Sequence, residues 1–123
     1  MTHCTYDQST RLKEIWFDMP TRDFFLGDEL FYGLPFDCKN WNQYKENTSA
    51  PTHAEALQWF MEKKGLHGWV EPFVKHLFNR WTYCITIKNV GLTALGSAIY
   101  PTHPEAESAL VWKIIELIKE KKA

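Results

Sequence analysis

What this 123-residue chain lacks narrows its roles before any motif is read. It has only three cysteines, Cys4, Cys38 and Cys84. They are few, odd in number and far apart, unlike the dense pairs that staple small secreted domains. Cys84 is expected to face a core, and Cys4 and Cys38 to be free thiols near the surface. Excess charge is missing too. Fourteen basic residues against fifteen acidic ones leave a formal net charge of -1, so nothing pulls the whole chain toward nucleic acid or an anionic membrane. No apolar run approaches the roughly 20 residues of a membrane span. Residues 1–7 carry neither the basic nor the apolar block of a signal peptide. The expectation is a cytoplasmic protein with no membrane contact. Glycine is sparse, and Gly65, Gly91 and Gly96 stand alone, so no phosphate-cradling loop is built.

What is present suffices for a folded domain. The chain is 45% hydrophobic and 15% aromatic, enough to bury a core and unlike a disordered segment. Its length fits one domain. The sharpest pattern is a near-duplicate: Pro51-Thr52-His53-Ala54-Glu55-Ala56 and Pro101-Thr102-His103-Pro104-Glu105-Ala106. A hydroxyl followed three residues later by Glu is the grammar of a capping box, so each copy opens a helix. Thr5 and Gln8 repeat that grammar at the start of the chain.

From these starts the elements follow. Leu12, Ile15 and Trp16 share one face of a first helix, which Met19-Pro20 is expected to end. Gly27-Asp28 between two aromatic-rich runs predicts a β-hairpin. Residues 33–50 read as a loop anchored by Trp41 and Tyr44. The second helix carries Leu57, Phe60 and Met61 as its stripe and closes on Gly65, with Leu66 folding back. Residues 69–77 read as a strand carrying Pro72. Trp81 to Lys88 is the clearest strand, with Trp81, Tyr83, Ile85 and Ile87 on a buried face and Thr82, Cys84, Thr86 and Lys88 on a wetter one. Asn89-Val90-Gly91 turns into a weaker strand over 92–100. The last helix is apolar on two stripes, Leu110, Ile114 and Leu117 beside Val111, Ile115 and Ile118. Such a helix is covered on more than one side, either by the N-terminal segment or by self-association. The fold class is α+β: an antiparallel three-stranded sheet with two helices on one face over residues 51–121, preceded by an N-terminal helix and hairpin. The expected domain is single, with its smaller part handing over near residue 50.

No catalytic constellation emerges. There is no G-x-S-x-G and no local cysteine signature, and Ser97 and Ser108 read as structural. His53, Glu55, His103 and Glu105 would have to converge to form a site, yet their spacing is already explained by capping. His3, Cys4, His67 and His76 lack metal-ligand spacing. Neither a catalytic residue nor a cofactor or metal ligand is therefore assigned. Lys75, His76, Arg80, Trp81 and Lys88 form the best basic–aromatic set for single-stranded nucleic acid, but basic residues spread over the whole chain favour a solvated strand edge. Six tryptophans are many for this length. Trp59 lies off the stripe of its helix and Trp112 borders the polar face of the last one, which makes both candidate anchors for a protein partner.

Two resemblances follow. The helix–strand–strand–strand–helix order over 51–121 resembles the topology of double-stranded-RNA-binding domains. Those place basic residues at the start of the last helix, where this chain has Pro104-Glu105-Ala106-Glu107. The likeness thus implies a shape and argues against that function. The second rests on Arg11-Leu12-Lys13-Glu14-Ile15 with Phe17-Asp18-Met19-Pro20, on residues 50–60 with Lys64-Gly65-Leu66-His67, and on Glu105-Ala106 running into Ala109-Leu110 and Ile114-Ile115-Glu116-Leu117-Ile118. Together they resemble a set of uncharacterised short proteins of phages, prophages and mobile elements of gut bacteria. That pattern turns on glycine where this chain has Trp16. The resemblance implies no activity, cofactor or catalytic residue. The functional expectation is a small non-catalytic binding or accessory protein, phage-related, with a weak nucleic-acid module using the sheet face as the alternative.

Overall fold

Three helix starts are set by local chemistry. In the computed structural model, which describes residues 2–72, 80–87, 91–95 and 98–121, α1 (Tyr6–Glu14) opens on a complete capping box: Gln8 N–H donates to Thr5 Oγ1 and Thr5 N–H to Gln8 Oε1. The same reciprocal pair opens α2 (His53–Trp59), with Thr52 N–H on Glu55 Oε1 at 2.8 Å and Glu55 N–H on Thr52 Oγ1 at 3.1 Å. Glu105 N–H donates to Thr102 Oγ1 at the head of α3 (His103–Lys121). Each bond satisfies an amide that the first helical turn leaves open.

The chain divides into two compact units, Met1–Ala56 and Leu57–Ala123. The division falls inside α2.

The first unit holds α1 and an antiparallel sheet of order β2-β1-β3. Strands β1 (Phe24–Leu26) and β2 (Glu29–Phe31) form the expected hairpin. Gly27 takes φ +64° at the first turn position, where glycine carries no steric cost. The third strand, β3 (Asn47–Ser49), pairs with β1 inside what the sequence showed as loop. Its polar letters carry no strand pattern, and only the partner strand makes it one. Residues 2–4 run antiparallel to 51–53, with Cys4 N–H on Pro51 O and His53 N–H on Thr2 O. This pairing turns Cys4 inward. The thiol expected at the surface is buried with Leu12, Ile15, Phe17, Phe25 and Ala50.

Helix α1 ends four residues before Met19-Pro20. Phe17 N–H reaches back to Leu12 O at 3.0 Å and Trp16 N–H to Lys13 O at 3.1 Å, and Trp16 has φ +68°. These are the two bonds and the left-handed residue of a Schellman cap, and Phe17 and Leu12 supply its apolar contact, both fully buried. Glycine usually occupies that position. Here a tryptophan does.

The second unit holds β4 (Leu66–Pro72), β5 (Trp81–Ile87) and β6 (Gly91–Leu95), antiparallel in that order with a bulge at Ile85/Thr86. Trp81 and Tyr100 exchange both backbone bonds at 2.9 Å and extend the sheet at its end. The second half of the expected strand over 69–77, residues 88–90 of the next turn, Gly96 and Ser97 lie outside the described residues. Helix α3 packs on β4 and β5. Gly68 makes this possible: a Cβ there would come within 2.8 Å of Ile114 Cδ1 and 2.9 Å of Leu110 Cδ1. Its strand partner is Ile85, so Tyr83, Ile85 and Ile87 lie on the helix-covered face as expected. The opposite face is less wet than expected. Cys84 and Thr82 are buried, because short side chains on a central strand are shaded by long neighbours on β4 such as Trp69 and Glu71. Ala106, Leu110, Val111, Ile114, Ile115 and Ile118 of α3 are all buried.

Helix α2 runs into a π-helical turn over Phe60–Lys64 that closes on Gly65 at φ +66°, and Leu66 is buried behind it as expected. Its buried stripe is His53, Ala56, Trp59 and Phe60, while Met61 is exposed. Phe60 lies on this stripe as expected, while His53, Ala56 and Trp59 take the places expected of Leu57 and Met61, and a histidine does not signal a core face by its letter.

The architecture is α+β. No helix among the described residues is long and apolar enough to cross a membrane.

Candidate functional site

A dense polar cluster lies in the first unit, built on Asp23. Asp23 is buried, yet both carboxylate oxygens are satisfied. His3 Nε2–H donates at 2.6 Å, Arg22 Nε–H and Nη2–H at 2.8 and 3.1 Å, and Gly33 N–H at 3.0 Å. Burial pushes this carboxyl upward, but the bonds from Arg22, His3 and Gly33 more than offset it and hold it below the ordinary aspartate value. A Cβ on Gly33 would overlap the Arg22 carbonyl oxygen, so only glycine lets this backbone approach. Asp23 thus joins the N-terminal segment, the start of β1 and the chain after β2. Its acceptor capacity is spent on structure.

His53 lies deeper. Its Nε2–H donates to Gln8 Oε1 at 3.1 Å, the oxygen that also accepts from Thr5 N–H. Burial, with the nearby His3, lowers its pKa, so the ring is neutral at pH 7 and holds its place as a core hydrogen-bonding group. The duplicate residue, His103, is exposed and sets its ring edge-on to Trp81 at 5.1 Å. Each histidine is engaged within its own unit. Among the described residues no group of three or more His, Cys, Asp or Glu side chains is placed to hold a metal ion.

The proposed tryptophan anchors fare differently. Trp59 is 2% exposed, its ring edge-on to Phe60 and under the Lys64 ammonium. It belongs to the buried stripe and offers no surface. Trp112 is 37% exposed. Of the basic–aromatic set, Lys75, His76 and Lys88 lie outside the described residues, Arg80 is half-buried, and Trp81 faces the head of α3 rather than an open sheet surface. The open face shows instead His67 beside Trp69, whose indole N–H donates to Glu71. Cys84 Sγ–H also donates to Glu71, at 3.2 Å. Burial and that carboxylate raise this thiol to about 11, far from a nucleophile's range.

Exposed apolar surface concentrates elsewhere. From the hairpin tip to residue 38 the chain presents Leu26, Phe31, Tyr32, Leu34 and Phe36, with Tyr32 70% and Phe36 85% exposed. Asp28, Glu29 and Asp37 lie among them, all exposed, and no basic residue occurs between Asp23 and Cys38. A second exposed group surrounds the end of α1, where Trp16 is 78% exposed. It lines a cleft of about 260 Å³ with Lys13, Phe17, Asp18, Asn40, Asn42 and Gln43. Gln43 also lines a shallower depression of about 570 Å³, with Trp41, Tyr44, Lys45, Glu46 and Asn47. The walls are firmly held. Lys13 Nζ donates to the carbonyls of Tyr44, Lys45 and Asn47. Asn42 bridges Phe17 O and Ser49 N–H, and the Trp41 indole N–H donates to Thr21 O.

Scattered exposed apolar residues are ordinary; a contiguous run is not. The sequence carries this signal in Leu34-Pro35-Phe36, apolar letters inside the expected loop. No protein-family model matches the chain, and no curated protein or solved structure is significantly similar to it.

Proposed function

We propose that the chain is a non-catalytic binding or accessory protein of a phage-related element, and that its first unit carries the working surface. The observation that supports this reading is the exposed segment 26–38, in which five bulky apolar side chains lie among Asp28, Glu29 and Asp37, the last of them 3.6 Å from Lys39 Nζ. Exposed aromatics cost solubility and contribute nothing to a core, so their retention fits an interface, where aromatic side chains supply most of the affinity. The acidic residues among them select a partner with apolar and basic groups, which they attract at long range and whose register they fix. Resemblance to short proteins of phages and mobile elements, where small adaptor proteins need no active site, agrees with this role.

The test is copurification of tagged wild-type protein and of the double variant Leu34→Ser, Phe36→Ser from the native host. A partner held by wild type, lost by the folded variant and weakened by salt supports the reading. Identical partners and oligomeric state for both proteins would remove it. The nucleic-acid alternative rests on Arg80 among the described cations of its set. Salt-dependent binding of single-stranded DNA or RNA that survives the double variant would favour it instead.

A further inference from the structure

We propose that the cleft at Trp16 is a saccharide-binding site for pyranose rings of a neutral oligosaccharide, separate from the apolar–acidic segment 26–38. The backbone at Trp16 points to this cleft. The C′ position of a Schellman cap needs positive φ, which glycine adopts freely and an L-residue adopts at a cost. Trp16 takes φ +68° and leaves most of its indole in water. Core packing does not account for it, and strained positions of this kind concentrate where ligands are handled.

The chemistry of the cleft narrows the ligand. Two charged residues, Lys13 and Asp18, lie in its walls. The Lys13 ammonium is fixed on three backbone carbonyls at 2.6–3.4 Å, so it is not offered to a phosphate or carboxylate. Asp18, the other charged residue of the lining, repels anions. What remains beside the indole is a set of planar amides. Asn42 is held by bonds through both ends of its side chain, and its backbone N–H donates to Asn40 Oδ1 at 3.1 Å, so both asparagines are oriented before a ligand arrives. Gln43 is exposed. An apolar plate beside fixed donors and acceptors matches a pyranose ring, whose C–H face is apolar and whose rim is hydroxyls. A wholly apolar ligand would cover the exposed Gln43 amide without pairing it. The cleft is slightly smaller than the ~300–1,000 Å³ of drug-sized pockets, which suits one ring. The adjoining depression shares Gln43 and adds the half-exposed Tyr44 ring as a second plate. Two plates separated by an amide favour an extended ligand over a single sugar.

The test is NMR observation of the Asn42 and Gln43 backbone amides, which line the cleft and are kept in every variant, during titration with maltotriose, cellotriose, mannotriose and chitotriose. At least one of these should give a saturable shift with millimolar or tighter affinity. Trp16→Gly, which keeps the cap, should weaken that affinity about tenfold or more, equivalent to roughly 1.4 kcal/mol. Trp16→Tyr should retain most of it. Three results would overturn the proposal: no saturable shift with any trisaccharide, binding unchanged in Trp16→Gly, or a shift with tetramethylammonium chloride and none with the sugars. The last would make the cleft a cation site built on Trp16 and Asp18. None of these results depends on segment 26–38, so the two readings stand or fall separately.

Discussion

Replacing Trp16 by glycine and, separately, by alanine isolates the backbone cost from the loss of the indole. Both variants lose the same ring. About a fifth of that ring is covered; at 150–250 Å² for a whole aromatic side chain and about 25 cal/mol per Å², its loss costs roughly 1 kcal/mol. The variants differ in the left-handed conformation at φ +68°. Alanine still bears the penalty of about 1–2 kcal/mol for an L-residue, and glycine sheds it. Glycine gives back about 0.5–1 kcal/mol through its freer unfolded chain. The glycine variant should therefore match wild type within about 0.5 kcal/mol, and the alanine variant should lie about 0.5–1 kcal/mol below it. The order is the reverse of a helix interior, where alanine exceeds glycine by about 1 kcal/mol. Urea unfolding followed by far-UV circular dichroism reads the difference as a midpoint gap of about 0.3–0.6 M. Alanine equal to or above glycine would refute the Schellman cap at Trp16 and return the end of α1 to Met19-Pro20.

Four further outcomes follow from the thiols and from the groups around His53 and Asp23. Native protein should show one fast-reacting thiol toward a disulfide reagent at pH 8, Cys38, because Cys4 and Cys84 are buried and Cys84 is raised to about 11; three should react in denaturant. The lowered pKa of His53 means that the unfolded chain binds its proton first as pH falls. Stability is therefore complete above the ordinary histidine value and declines as pH drops toward the folded one; His53→Gln should flatten that decline in a thermal-melt series. Asp23, held below the ordinary aspartate value, contributes stability that is complete above that value and lost as pH falls through its folded pKa. Gly33→Ala should cost about 2–3 kcal/mol by denaturant titration, since the added methyl meets the backbone oxygen of Arg22 and cannot be relieved by a rotamer change.

Much of the fold was legible because it is written in short-range chemistry. Capping pairs such as Thr5 with Gln8 and Thr52 with Glu55 act across three residues, and the Gly27-Asp28 turn spans two. The face of β5 that α3 covers was likewise set by alternation of its own side chains. The candidate surfaces were less legible. Trp59 and Trp112 stood out by residue type, but whether an indole is buried depends on residues distant in sequence, and Trp59 proved to be inside. The run through Leu34 and Phe36 reads as anchored loop, and only the fold shows its side chains exposed. Trp16 looked like part of a helical stripe, because α1 had no visible reason to stop before Pro20.

By itself, then, the sequence determined the helix starts, the hairpin, the α+β class and the order of strands in the second unit, all consequences of hydrogen bonds and periodicity within a few residues. Only the tertiary structure decided the rest. Pairing with β1 made a strand of Asn47–Ser49. Antiparallel contact with residues 51–53 drew Cys4 inside. Burial of Phe17 against Leu12 ended α1 early and left Trp16 exposed in a conformation that glycine usually takes. Each is a balance between apolar burial and local preference, and burial of a large side chain, at about 1.5–3 kcal/mol, outweighs most local preferences of about 1 kcal/mol or less.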